Sequence, residues 1–334
     1  MINMLPKSPN IIDNQFCLVI DVTYRCNGNC VYCQWTSQQN NKRFDEPDSN
    51  VLIPKNSLEN LGVQRVVFSG GEPLLRKDLE LIISYYANLG IESIIIITNG
   101  LLLSEKRLNS LLNAGLTGVT FSIDGISEEI ALKTRGLNEK QQKLILYNLK
   151  NTLHRRKHDN IEIGINTVIS GANLNIEVLR DLVDFCNKSS IDWLKFNPLF
   201  DDGFVSKNAP WLLFDQKDVS KINQAGKTVV ENCNVQTNHI GFWNAMASVH
   251  DGRYLDPRSC GLEKRQAIAI RGEIKFCFWN DQSTYGSTSS ELNAKDIKKS
   301  RELFRKSQRL CKTGTYCFCL QNFNHLWRIT DDYD

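Results

Sequence analysis

Glu92-Ser93-Ile94-Ile95-Ile96-Ile97-Thr98 decides how this chain folds. Four consecutive isoleucines leave no alternation of apolar and polar positions, so neither face of the strand is suited to water. That pattern marks a parallel strand covered on both sides. A helical pattern at 78–89 precedes it and another at 104–114 follows, with Gly90 and Gly115 where those helices should stop. The same unit repeats outward. Further strands are predicted at 17–22, 65–68, 118–123, 161–168 and 193–197, and further helices at 139–153 and 176–187. Alternating strands and helices build a parallel sheet. Six strands fall short of the eight of a closed barrel. The expected fold is therefore α/β: a partial (β/α)6 barrel of parallel strands, open on one side, with ligands gathered at the carboxyl ends of its strands.

That core occupies residues 1–200. Residues 201–255 read as a mixed helical connector, in which Trp211, Phe214, Phe242 and Trp243 are expected in the core, the alternative being a peptide-binding surface. Residues 256–334 read as a small cysteine-rich C-terminal domain. Forty Lys and Arg against 37 Asp and Glu give a net charge of +3, too balanced for a phosphate-backbone footprint, so no nucleic acid partner is expected. Residues 1–14 lack the order of a secretory signal. The longest aliphatic run is far short of the ~20 residues a membrane helix needs. A cytoplasmic chain without a membrane partner is expected. Its 11 cysteines then point to metal ligation or catalysis rather than to disulfides. Residues 36–50 form a polar loop, and Arg155-Arg156-Lys157 is read as solvated surface.

Cys26-Asn27-Gly28-Asn29-Cys30-Val31-Tyr32-Cys33 follows the first strand. Three thiolates at this spacing wrap one cubic iron–sulfur cluster and leave one of four irons open to a small molecule. The alternative is zinc, which normally takes four closed ligands, often including His; here there are three cysteines and no histidine nearby.

The loop, with Tyr32 before its last cysteine, resembles that of the radical S-adenosylmethionine (SAM) family, and further segments match in order. Gly70-Gly71-Glu72-Pro73 resembles the family's GGEP turn, which holds the methionine amino group. Ser122-Ile123-Asp124-Gly125 resembles its ribose-contacting segment, and Thr98-Asn99 ends the third strand where the cofactor would be lined. Arg135 resembles the arginine that pairs with the methionine carboxylate. The resemblance spans about residues 16–198. It implies a 4Fe-4S cluster on Cys26, Cys30 and Cys33, with SAM on the open iron. It also implies a 5′-deoxyadenosyl radical that takes a hydrogen atom from substrate, and a flavodoxin- or ferredoxin-type electron donor.

Cys260 and Cys277, with Gly272 between them, frame a hairpin expected to turn at Arg271-Gly272-Glu273; Cys311, Cys317 and Cys319 follow. This arrangement resembles the SPASM and twitch extensions of the same family, which hold auxiliary clusters. It departs from the longer SPASM pattern in having five cysteines and no CxxC step, so one auxiliary 4Fe-4S cluster is expected, with one of the last three thiols spare. A zinc ribbon is the alternative. Cys17 and Cys186 read as core residues. Cys233 reads as packing or, together with Cys311, Cys317 and Cys319, as a possible hydrogen-atom donor.

The resemblance implies oxidation, epimerisation or cross-linking of a peptide or natural product, in the manner of a maturase. Against a maturase, the chain ahead of Cys26 is too short for a leader-binding domain. The alternatives are a carbinol or aminosugar dehydrogenase or epimerase, and a non-catalytic iron–sulfur protein, which would not need the GGEP and ribose-like segments.

Overall fold

The computed structural model describes residues 15–33, 51–156, 159–201, 203–255, 264–277, 284–307 and 329–330. The six expected strands are present: β1 (Phe16–Thr23), β2 (Val63–Gly70), β3 (Ser93–Thr98), β4 (Gly118–Ser122), β5 (Glu162–Ile169) and β6 (Trp193–Pro198). They pair in parallel in chain order. The helices are α1 (Lys55–Leu61), α2 (Leu79–Asn88), α3 (Glu105–Asn113), α4 (Glu128–Arg135), α5 (Glu139–Arg155) and α6 (Ile176–Lys188). The starts of α3, α4, α5 and α6 are capped by short polar side chains, as orphan N–H groups require. Ser104 accepts from the Arg107 N–H, Ser127 from Ile130, and Asn138 forms a reciprocal capping box with Gln141. The fold is the α/β arrangement expected, a parallel sheet with helices over its outer face.

Strand parity separates two surfaces. Leu18, Ile20, Phe68, Ile94, Ile96, Phe121, Ile165 and Phe196 turn outward into the large core beneath the helices. Val19, Val67, Ile95 and Trp193 turn inward and form a smaller apolar cluster with Cys17, Ile97 and Ile268. Trp193 fits there because its register partner is Gly164; a Cβ at Gly164 would lie 1.9 Å from the indole Nε1.

The sheet continues beyond six strands. After α7 (Phe204–Asn208) come α8 (Val219–Asn232), β7 (Gln236–Thr237), α9 (Ile240–His250) and β8 (Tyr254–Leu255). Phe242 and Trp243 are core residues and Phe214 packs against that core, whereas Trp211 is 53% exposed, unlike the expectation. Strand β9 (Gln266–Ile270) lies parallel to β1, and β10 (Glu273–Lys275) returns antiparallel as the expected hairpin. β11 (Thr284–Ser287) adds to β10, and α10 (Ala294–Ser307) follows. The described strands thus form one ten-stranded sheet, β11-β10-β9-β1-β2-β3-β4-β5-β6-β7, with β12 (Ile329–Thr330) pairing separately with β8. No helix among the described residues is long and apolar enough to cross a membrane. The loop at 36–50 and Cys260, Cys311, Cys317 and Cys319 lie outside the described residues.

Candidate cofactor site at the carboxyl ends of the strands

The cysteine loop is clamped from two sides. On one side the Gly71 N–H donates to the Thr23 carbonyl at 2.7 Å and the Glu72 N–H to the Arg25 carbonyl at 2.8 Å. Gly71 is needed for this approach, since a Cβ would come within 2.2 Å of the Arg25 oxygen. On the other side the Val31 N–H donates to the Thr134 carbonyl in the last turn of α4 at 2.9 Å. Between these clamps, a Cβ on Gly28 would sit 3.4 Å from Cys26 Sγ and 3.9 Å from Cys30 Sγ, so both thiols border the same space. The Gly28 N–H donates to Cys26 Sγ at 3.3 Å.

Burial pushes the Cys26 thiol up, and it pushes Cys30 up to about 12 against the pull of Arg135. Such thiols become thiolates when a metal supplies the compensating charge. Zinc would draw its sulfurs to ~3.8 Å of one another, given its ~2.3 Å bonds and tetrahedral geometry. Among the described residues no three Cys, His, Asp or Glu side chains converge on a single ion in that way. A cubic cluster asks for something else: separate thiolates on separate irons. Cys26 and Cys30, which border one space, fit that need.

The two acids quoted from the motifs are committed to the protein. Glu72 is 1% exposed. Its Oε1 accepts from Thr98 Oγ1 at 2.7 Å and from the Leu74 N–H at 3.1 Å, and its Oε2 from the Asn99 N–H at 2.8 Å. Burial pushes its carboxyl up and these bonds pull it back. Asp124 is 2% exposed and accepts from Tyr32 Oη at 2.7 Å, Arg135 Nη2 at 3.0 Å and the Val168 N–H at 2.8 Å. Both carboxylates act as hubs that hold other site residues. Gly70, Gly71, Pro73, Thr98 and Asn99 are gathered around the first hub, and Asn99 also reaches the loop through Asn27 at 2.8 Å. Ser122 faces inward.

Arg135 is the loop's cation. Its Nη1 lies 3.9 Å from Cys30 Sγ and its guanidinium 5.9 Å from the Tyr32 ring centre. Burial opposes its charge, but Asp124, Tyr32 and Cys30 more than offset that. Its Nε is buried with no hydrogen-bond partner, a donor suited to an anionic group such as a carboxylate.

Other predicted residues lie elsewhere. Cys233 is buried in the outer core with Cys186, away from the inward surface. Cys277 is buried among Ile274 and Phe276. Sequence reasoning missed the polar residues of the inward surface. Ser122, Asn166 and Lys195 stand in one register row across β4, β5 and β6; Lys195 is 6% exposed, and Arg65 on β2 pairs with Glu162 at 3.2 Å. Asp21 faces the same interior from β1. The available signal was a charged residue at an inward-parity position of an otherwise apolar strand.

The radical SAM superfamily model matches residues 20–186. Over 295 residues the chain is 25% identical to a probable GTP 3′,8-cyclase of Sulfolobus acidocaldarius, covering 88% of this chain and 90% of that one. A probable GTP 3′,8-cyclase of Methanococcus aeolicus is 33% identical over 291 residues, covering 84% and 91%. Among solved structures, Streptococcus suis SuiB bound to S-adenosylmethionine shares the fold at a TM-score of 0.58 and 17% identity, with 84% of this chain and 63% of that chain covered. These relatives overturn the expectation of peptide or natural-product oxidation, epimerisation or cross-linking, because those matching at nearly full length are named as nucleotide cyclases. The motif reading of the cofactor stands, and the chain belongs to the radical SAM superfamily, whose enzymes work with a 4Fe-4S cluster and S-adenosylmethionine.

Proposed function

We propose that Cys26, Cys30 and Cys33 hold the cluster and that the bound substrate is a purine ribonucleoside triphosphate, the class named in the relatives. One observation carries the substrate reading. The likeness to the cyclases extends well past residues 20–186 and takes in about nine-tenths of their length. The added stretch includes β6 and the β9–β10 hairpin, which bring Lys195 and Arg271 to the barrel. These are the interior cations that an anionic substrate needs, in surroundings where charge interactions are stronger than in water.

When bound, the cluster and SAM supply a radical that removes a hydrogen atom from substrate. The chain's residues position and shield that event. The backbone carbonyls of Gly70 and Gly71 would accept from the methionine amino group of SAM, since the Glu72 carboxylate and the Glu72 and Pro73 carbonyls already accept within the protein. Arg135 Nε, with Asp124 and Tyr32 holding the guanidinium in place, meets the carboxylate. Ser122, at an inward position of β4, would contact the ribose. Val19, Val67, Ile95 and Trp193 exclude water from below. An external one-electron donor of flavodoxin or ferredoxin type supplies the electron. Cys277, with Cys260 and two of Cys311, Cys317 and Cys319, holds one auxiliary 4Fe-4S cluster.

The test is anaerobic reconstitution, reduction, and incubation with SAM and GTP, followed by mass spectrometry. Formation of 5′-deoxyadenosine together with GTP conversion is expected, and replacing Cys26, Cys30 and Cys33 by Ala should abolish both. SAM cleavage without GTP conversion would overturn the substrate reading and leave the cofactor reading standing.

A further inference from the structure

Asp21 stands out among the interior acids of this barrel. Glu72 and Asp124 each accept three hydrogen bonds, Glu162 is paired with Arg65, and Asp192 receives Arg156 and the Ile163 N–H. The Asp21 carboxyl has no hydrogen bond or ion pair among the described residues, although it is at most half-exposed. An interior carboxylate without donors costs free energy that a packed apolar residue would not. Asp21 is partly exposed, so water can hydrate it, and a molecule that displaces that water must supply a donor in its place.

Its place in the fold says which molecule. Asp21 points inward from β1, level with Ser69 of β2, two residues before the Thr23 carbonyl that anchors the GGEP turn. It therefore lies deeper in the barrel than the cofactor segments, on the path toward the apolar floor of Val19 and Val67. β2 brings only the Ser69 hydroxyl to that level. The one charged group acting on it is Arg271. Arg271 (φ 51) and Gly272 (φ 77) are the two residues of the β9–β10 turn, which requires positive φ at both, and the Arg271 N–H donates to Tyr24 Oη at 2.9 Å. The turn thus sets a fixed cation beside a carboxyl that lacks donors.

We propose that Asp21 is a substrate-contacting residue, accepting a hydrogen bond from an O–H or N–H of the bound nucleoside. The assignment rests on the nucleotide reading above. A hydrogen bond to a charged acceptor is worth ~1.5–3 kcal/mol, or roughly ten- to a hundredfold in affinity.

Equilibrium dialysis of GTP against the reconstituted, SAM-bound holoenzyme tests it. Asp21→Asn and Asp21→Ala are expected to weaken GTP binding at least tenfold. Analogues lacking one donor each, 2′-deoxy-GTP, 3′-deoxy-GTP and ITP, identify the group. Wild type should lose affinity for one of them, and Asp21→Ala should lose no more for that one than for GTP. Unchanged GTP affinity in both variants overturns the assignment, as does a parallel loss of SAM affinity, which would place the effect on the cofactor side. If the wild-type holoenzyme does not bind GTP, the nucleotide reading itself fails.

Discussion

Asp21 weakens the fold that carries it, and the direction of that effect can be worked out. Burial raises its pKa from 3.8 to about 7, with Arg271 pulling the other way. The folded chain therefore keeps a proton that the unfolded chain releases. The stability associated with that proton is intact below about pH 4, falls as pH rises, and is gone above about 7. The full shift would correspond to ~4 kcal/mol, which the carboxyl's remaining exposure reduces to on the order of 1–2. Asp21→Asn removes the ionisation, so it should be more stable than wild type in urea unfolding at pH 8 and indistinguishable near pH 4. No gain at pH 8 would mean the carboxyl already has donors. Gly71→Ala acts in the opposite sense. Its Cβ meets the Arg25 oxygen at 2.2 Å, so a loss of about 2–3 kcal/mol is expected, together with poorer iron loading after reconstitution. The sequence identified Gly71 through its motif. It could not show that Glu72 and Asp124 are spent on Thr98, Asn99, Arg135 and Val168, because those partners are brought in by folding from distant parts of the chain.

At the level of elements, β5 and β6 are built around one another. Trp193 lies over Gly164 and closes the interior beneath the polar row of Ser122, Asn166 and Lys195. Gly164→Ala drives a methyl into the indole and should cost about 1–3 kcal/mol. Trp193→Ala leaves a cavity and should cost about 3–5 kcal/mol. The two are not independent. In the Trp193→Ala background the methyl has room, and Ala in a strand is better than Gly by roughly 0.5–1 kcal/mol, so the double variant should be at least as stable as Trp193→Ala alone. Additive losses would show that the indole does not occupy that space. The same elements mark where sequence reading succeeds. Isoleucine-rich strands such as β3 declare themselves because both their faces are apolar. α4 went unread, since its eight residues hold only Ile130, Ala131 and Leu132 as apolar positions, too few to establish a period. Lys195 went unread because inward and outward positions alternate, and parity becomes meaningful only once strand register is known.

Across the whole molecule, the family segment at 20–186 does not complete its own sheet. The free edge of β1 is covered by β9, with the Cys17 N–H donating to the Arg265 carbonyl at 2.9 Å and register pairs running from Cys17 to Ile20. The segment leading into α10 is fastened to α1, where the Leu292 N–H donates to Ser57 Oγ and Asn60 Nδ2 donates to the Leu292 carbonyl, both at 2.8 Å. Nothing local announces this closure: β9 is five residues long, and a parallel partnership between the two ends of a chain has no turn to reveal it. It has a measurable consequence. In the full chain the amides of residues 16–23 should exchange as slowly as those of β3, since both strands are paired on each edge. In a chain ending at residue 255, β1 becomes an exposed edge and loses its cover from Ile268 and Ala269. Hydrogen–deuterium exchange of residues 16–23 should then accelerate at least tenfold while β4 and β5 change little, and the shortened chain should associate through the uncovered edge. Equal protection of β1 in both chains, measured by mass spectrometry on the same peptides, would show that the strand is held by β2 alone and that the C-terminal hairpin is an appendage rather than part of the barrel wall.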